Sequence, residues 1–311
     1  MIDADHITTT VAGTAGRIAV VDHGGQGPDV VLLHGAHRSL LDWEAVRPAL
    51  SGLRLIAYDL RGHGRSDPPA DDDYGWEAHL GDLDAVIAAL GLRNPHLVGH
   101  SLGGMIAVRH AATRPGCPGV VDLDGFGGGV PGLYPGLSAA EVARRRGEQL
   151  AMFTAMAGPE HVDAAQSREI IAAARTAAAA QGWNPDLEEA NARRGLTRAA
   201  DGSRTRRPAP RTLPALMAPL EGWDMFAELR HLACPALVVQ GGRRPTLDHL
   251  PPDLQELTES LIAGITHEID ALRRESGLVR AVRIDGAAHM VHLDAPEVVG
   301  RLIRDFVLAS M

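Results

Sequence analysis

The chain has no lysine; all 30 basic residues among its 311 are arginine. That excludes a lysine nucleophile or a Schiff-base mechanism. Emptying a whole surface of one residue type reads as coding bias rather than a functional demand. Cysteine is scarce as well, with Cys117 and Cys234 the only two, each followed by proline. A disulfide scaffold needs more, so the pattern predicts two packed thiols, a reducing compartment and a cytoplasmic location. No apolar run reaches the ~18 residues of a membrane span; the alanine-rich stretch Ala172–Ala180 is too short and is interrupted by Arg175. Met1–Thr10 carries Asp3, Asp5 and a run of threonines, with neither a cationic start nor an apolar stretch, so it does not read as a signal peptide. The net charge of −9 and the lack of a basic stripe argue against a nucleic-acid partner.

What is present suffices for a core. With 45% hydrophobic and 22% charged residues, neither a disordered chain nor a small stapled domain fits. At roughly 100–200 residues per domain, the length suits one large domain or two ordinary ones. Short β-branched runs bounded by glycine or proline recur at Arg17–Asp22, Val30–Leu33, Leu55–Tyr58, His96–Val98, Val120–Leu123, Ala236–Gln240 and Val279–Ile284. Most are continuously apolar, as parallel strands buried on both faces are. Between them lie helical patterns. Trp76, Leu80, Leu83, Val86, Ile87 and Leu90 form one stripe, and Val298, Val299, Leu302, Ile303, Phe306 and Val307 another, the latter opened by Pro296 with Asp294 and Glu297 as a capping box. The alternation predicts an α/β fold with a doubly wound, mostly parallel sheet.

From Phe126 to Arg230 the alternation fails. Helices are expected at Ser138–Gly158, Glu160–Gly182 and Asp186–Ala200, with almost no strand, followed by a polar connection at Asp201–Arg211. A helical block inserted in such a sheet belongs over the carboxyl ends of the strands, where α/β ligands bind. The organisation expected is a core of residues 1–125 and 230–311 and a helical lid of residues 126–229. A second long connection, Arg243–Gly277, joins the last two strands.

The strongest chemical signal is Gly99-His100-Ser101-Leu102-Gly103, between the strand His96–Val98 and a helix over Gly104–Ala112. A sharp strand-to-helix turn pushes Ser101 out as a nucleophile, and the helix N-terminus favours an anion beside it. His34-Gly35-Ala36-His37 follows an earlier strand. A tetrahedral oxyanion needs two backbone donors, and the N–H groups of Leu102 and Ala36 suit that role. His37 either faces substrate or is solvated. His289, in Gly286-Ala287-Ala288-His289 after the last strand, is placed to act as base. His292 reads as structural; with His289 it lacks a nearby third metal ligand.

These segments, with Tyr58-Asp59-Leu60-Arg61-Gly62-His63-Gly64-Arg65-Ser66, resemble the α/β-hydrolase family in family order over the whole chain except the lid. The resemblance implies a Ser-acid-His triad with Ser101 as nucleophile and His289 as base, and makes Asp59 a structural aspartate. Dehalogenases and epoxide hydrolases of the family carry aspartate where Ser101 stands. The acid departs from the common pattern: Arg244 stands where many members place the aspartate after the penultimate strand. The nearest later carboxylate is Asp248. A subset of the family places the acid one strand after the nucleophile, which here offers Asp124, at the strand tip, ahead of Asp122, which alternation puts on the same face. Asp124 is the preferred acid, with Asp248 and Asp122 as alternatives.

No Gly-x-Gly-x-x-Gly follows the first strand and no Walker loop exists, so no cofactor is expected. Candidate pocket walls are Phe126, Leu133, Tyr134, Met152, Phe153, Met156, Trp223, Met225, Phe226 and Met290, or these pack lid to core. Arg204, Arg206, Arg207 and Arg211 either grip an anion or form a solvated loop, and Arg144, Arg145 and Arg146 read as an exposed helix face. The expected function is a serine hydrolase acting on a small-molecule acyl substrate (a carboxylic ester, lactone or thioester). The rivals are C–C bond hydrolysis, acyl transfer to an internal alcohol, a haloperoxidase-like side reaction, and a non-turnover receptor.

Overall fold

The computed structural model describes residues 9–199 and 202–310. Its main sheet contains β1 (Thr9–Ala12), β2 (Arg17–Asp22), β3 (Asp29–Leu33), β4 (Arg54–Tyr58), β5 (His96–His100) and β6 (Val120–Leu123), and later β10 (Ala236–Gly241) and β11 (Val279–Ile284). Their order is β1-β2-β4-β3-β5-β6-β10-β11, antiparallel at the β1–β2–β4 edge and parallel from there on. The edge strand β1 carries one buried side chain, Val11, so it left no apolar run to find. The Met1–Thr10 reading lies largely outside the described residues.

The apolar strands alternate between two cores. Val31, Leu33, Ile56, Tyr58, Leu97, Val120 and Val238 face one; Val30, Leu32, Leu55, Ala57, Val98, Val121 and Val239 face the other. Continuous apolar runs are thus two interleaved period-two stripes, each needing a helical layer. The first layer includes α1 (Trp76–Ala89) and α2 (Leu102–Thr113), with Leu80, Leu83, Val86, Ile106 and Val108 fully buried.

The segment 126–229 holds α3 (Ala139–Met156), α4 (Ala164–Gln181), α5 (Pro185–Arg194), α6 (Leu213–Met217) and most of α7 (Met225–His231). It also holds strand where almost none was expected. A small antiparallel sheet pairs β7 (His161–Val162), β9 (Arg204–Arg206) and β8 (Leu196–Arg198) in the order β7-β9-β8. The helix expected over 186–200 ends at Arg194, because Gly195 follows and Leu196–Arg198 pairs with β9; residues 200 and 201 lie outside the described residues. Reciprocal capping boxes open α3 (Ser138 with Glu141) and α4 (Asp163 with Gln166). The connection 243–277 is mostly one long helix, α8 (Pro252–Glu275).

α9 (Val291–Asp294) and α10 (Pro296–Ala309) close the second layer. The capping box expected from Asp294 does not form. Asp294 ends α9 and accepts instead from Trp183 Nε1 at 2.8 Å and Ala288 N–H at 2.6 Å. Arg145 is not on an exposed face: it is 7% exposed and pairs with Glu256 of α8 at 2.7 Å, while Arg146 pairs with Glu221 at 2.6 Å.

Close backbone contact is a strict demand at Gly103, where a Cβ would stand 2.1 Å from the Leu33 carbonyl oxygen. Thermal unfolding should show Gly103→Ala destabilised by about 2 kcal/mol or more. Gly147, mid-helix and open on all sides, should instead gain about 0.5–1 kcal/mol as alanine.

Candidate active site

β5 runs through His100, and α2 begins at Leu102, two residues earlier than expected. Ser101 alone makes the turn, at φ 52° and ψ −120°, a region costly for a non-glycine residue. Glycines make the turn sterically feasible: a Cβ on Gly99 would stand 2.1 Å from the Gly103 carbonyl oxygen, and one on Gly35 3.2 Å from Ser101 Cβ. The N–H groups of Leu102 and Ala36 have no acceptor among the described residues.

Asp124 follows β6 at φ 57°. That left-handed residue breaks the alternation, so Asp122 and Asp124 do not share a face. Asp122 points under α2, where its Oδ1 would touch a Cβ on Gly104 at 2.0 Å. It accepts from Gly125 N–H at 3.1 Å, and burial pushes its carboxyl well above the usual range. Asp124 turns outward. Its Oδ1 accepts from Gly241 N–H at 2.8 Å, and its Oδ2 from His289 Nδ1–H at 2.8 Å. The other nitrogen of that imidazole, Nε2, accepts from the Ser101 hydroxyl at 3.1 Å. Asp248 lines a cavity nearby but has no hydrogen bond to His289 among the described residues.

The motif residues His34, after β3, and Asp59, after β4, are structural ties. His34 donates from Nδ1 to the Gly35 carbonyl at 2.7 Å and accepts at Nε2 from Leu60 N–H at 2.9 Å. Asp59 accepts from Leu40 N–H at 2.9 Å, Arg65 N–H at 2.8 Å and Arg194 Nε at 2.9 Å, fully buried and away from Ser101.

A cavity of about 830 Å³ opens beside Asp124 and His289, between the loop after β10 and α8, where Ile262 and Thr266 line it. Arg244 and Phe126 are on its wall; Ser101 is not. The amphipathic spacing of Leu254, Leu257, Leu261, Ile265, Ile269 and Leu272 could have revealed this helix, but no motif drew attention to it. The other expected wall residues mostly pack inward. Trp223 lies on Trp76 at 4.6 Å, Phe126 stacks on Phe226 at 5.9 Å, Leu133, Tyr134 and Met225 are buried, Met152 is partly buried against the same core, and Met290 packs into the second core. Phe153 and Met156 are exposed on α3. His37 is exposed, its ring 6.4 Å from His63. Arg207 donates to the Ser66 carbonyl, Arg206 to that of Ala157, and Arg211 pairs with Asp72 and Glu160, so these three hold the chain together rather than grip an anion.

Three residues that sequence reasoning did not group meet behind His289: Asp42, His100 and His292, all buried, with ligand atoms within 4.8 Å of one another. Asp42 already carries the Arg38 guanidinium at 2.6 Å and the Asn191 amide at 2.7 Å. Burial opposes its charge, but Arg38 and His292 outweigh that and hold its carboxyl well below the usual range. A dication here would face the Arg38 cation, so the trio fits a packed support better than a metal centre.

The family model described as Alpha/beta hydrolase family matches residues 30–302, and the chain belongs to that family. It is a hydrolase-fold protein with esterase relatives. It is 32% identical over 299 residues, 93% of this chain and 98% of the relative, to a pimeloyl-(acyl-carrier protein) methyl ester esterase of Methylococcus capsulatus. It is 38% identical to an N-formylmaleamate deformylase of Pseudomonas putida over 102 residues, which span 32% of this chain and only 37% of that relative. Among solved structures, an E-2-(acetamidomethylene)succinate hydrolase superposes with a TM-score of 0.69 at 23% identity over 97% of this chain and 98% of that one, a likeness of fold. Among the described residues, no helix is long and apolar enough to cross a membrane.

Burial lowers the imidazole pKa of His34, His63, His79 and His100, that of His79 to about 3. The unfolded chain binds these protons near pH 6.5 and the folded one does not, so stability is full above pH 6.5 and falls as pH drops below it. The loss approaches about 1.4 kcal/mol per pH unit for each such imidazole. Urea midpoints at pH 7.5, 6 and 5 should decline in that order, before carboxylates titrate.

Proposed function

We propose that this chain is a serine hydrolase that cleaves a carboxylic ester, lactone or thioester through an acyl-enzyme on Ser101. The observation that carries the reading is the continuous hydrogen-bonded chain from Asp124 through His289 to Ser101, at 2.8 and 3.1 Å, ending on a strained strand-to-helix turn. His289 Nε2 takes the Ser101 proton as Oγ attacks the carbonyl carbon. Asp124 holds the Nδ1–H tautomer and stabilises the imidazolium. The N–H groups of Leu102 and Ala36 receive the oxyanion, each worth about 10²–10³ in rate. His289 then protonates the leaving group, and water repeats the sequence to release the acid. Residues 126–229 act as a cap whose attachment through α5 covers the catalytic face, and the cavity beside α8 takes part of the substrate. The full-length similarity to a methyl ester esterase supports ester chemistry.

Ser101→Ala should lose turnover of a p-nitrophenyl ester by roughly 10⁴-fold or more; retained turnover sinks the assignment. Asp124→Asn should cost about 10⁴ in kcat, whereas Asp248→Asn stays near wild type. The opposite ranking moves the acid role to Asp248.

A further inference from the structure

We propose that His100 is a positioning residue that holds the loop of His289 and the loop of Ala36 in one geometry relative to Ser101. The proposal rests on the triad reading above, which leaves His100 without a task. His100 is the last residue of β5, adjacent to Ser101, and is 1% exposed. Its Nε2 lies 2.9 Å from the backbone carbonyl of His289. A carbonyl only accepts, so Nε2 carries the hydrogen, and burial, which disfavours the charged form, keeps the ring neutral.

That bond falls at a sensitive place. Ala288 N–H is held by Asp294 at 2.6 Å, and the His289 carbonyl by His100 at 2.9 Å. The loop is therefore tied one residue before His289 and again at the His289 carbonyl, and the bonds to Asp124 and Ser101 orient its side chain. The same ring shapes the other loop: Gly35, beside Ala36, lies so close that a Cβ there would stand 2.8 Å from His100 Nδ1.

The His100 ring is itself backed. It lies 4.8 Å from the His289 ring and 4.4 Å from that of His292. His292 packs at 5.6 Å on Trp43, with its Nε2 3.5 Å from Asp42. Asp42 pairs with Arg38, which also holds Glu188 of α5 at 2.6 Å. A contiguous buried stack thus runs from the segment over the site to the loop of His289. A displacement of order 1 Å at a reacting group costs about 10²-fold in rate, so an anchor at this position matters for kcat.

The test compares His100→Gln, whose amide N–H reaches where Nε2–H does, with His100→Leu. Wild type is first treated with a fluorophosphonate; absence of label on Ser101 overturns the triad reading itself, independently of His100. With a labelled wild type, His100→Leu should lower kcat for p-nitrophenyl acetate about 10–100-fold and slow labelling in parallel. Its KM should stay within about threefold, and His100→Gln should recover kcat to within about threefold of wild type. His100→Leu with unchanged kcat overturns the proposal, as does His100→Gln falling as far as His100→Leu, since bulk rather than the N–H would then be what counts. If His100→Leu does not fold, His100→Asn replaces it. Its shorter amide cannot reach the His289 carbonyl, so equal activity in the Gln and Asn variants overturns the proposal and the 10–100-fold gap supports it.

Discussion

The geometry of this protein depends on how closely β5 approaches α2. A single residue, Ser101, reverses the chain between them, and the backbones meet at a distance that excludes a Cβ on Gly99, while α2 sits close enough to the end of β3 to exclude one on Gly103. The turn is held by the parallel strands on either side, with Ser101 N–H donating to the Leu123 carbonyl at 3.0 Å. Once it is formed, the hydroxyl stands at the carboxyl end of the central strand β5, the N–H of Leu102 has no acceptor among the described residues, and His100 is directed the other way, into the protein. A strained residue persists only where its surroundings over-determine it, and here both flanking elements do.

The second organising element is buried charge. Arg194 meets Asp59 with neither side chain exposed, and Arg38 forks onto Asp42 and Glu188 together. Breaking one partner of such a pair leaves a buried charge uncompensated, so α5 stays fixed to the loops after β3 and β4. The guanidinium is suited to this: its planar fork serves two carboxylates at once, which a lysine ammonium does less well. Whatever emptied the chain of lysine, the fold uses the arginines for geometry as well as for charge.

The core was legible because its signals are local. Apolar runs between glycines marked the strands, and 3.6-residue stripes marked α1 and α10. The segment from 126 to 229 was legible only as helix-rich. The short strands β7, β8 and β9 have no periodicity of their own and exist because they pair with each other. Its aromatics could not be sorted into wall or core from the sequence, since Phe153 and Phe226 both sit on helices and only the packing leaves the first exposed and the second buried. α8 carried a readable stripe, but nothing in it announced a cavity.

The sequence by itself determined the strand-turn-helix around Ser101, the family to which the chain belongs, and the exclusion of lysine chemistry. These follow from residue identity and short-range spacing. Only the tertiary structure decided which carboxylate reaches His289, because Asp122, Asp124 and Asp248 differ in backbone direction rather than in kind. The positive φ of Asp124 turns its side chain out of the strand's alternation. In the same way only the fold brought together Asp42, His100 and His292, distant in sequence, because contacts between loops at the ends of neighbouring strands are set by sheet order.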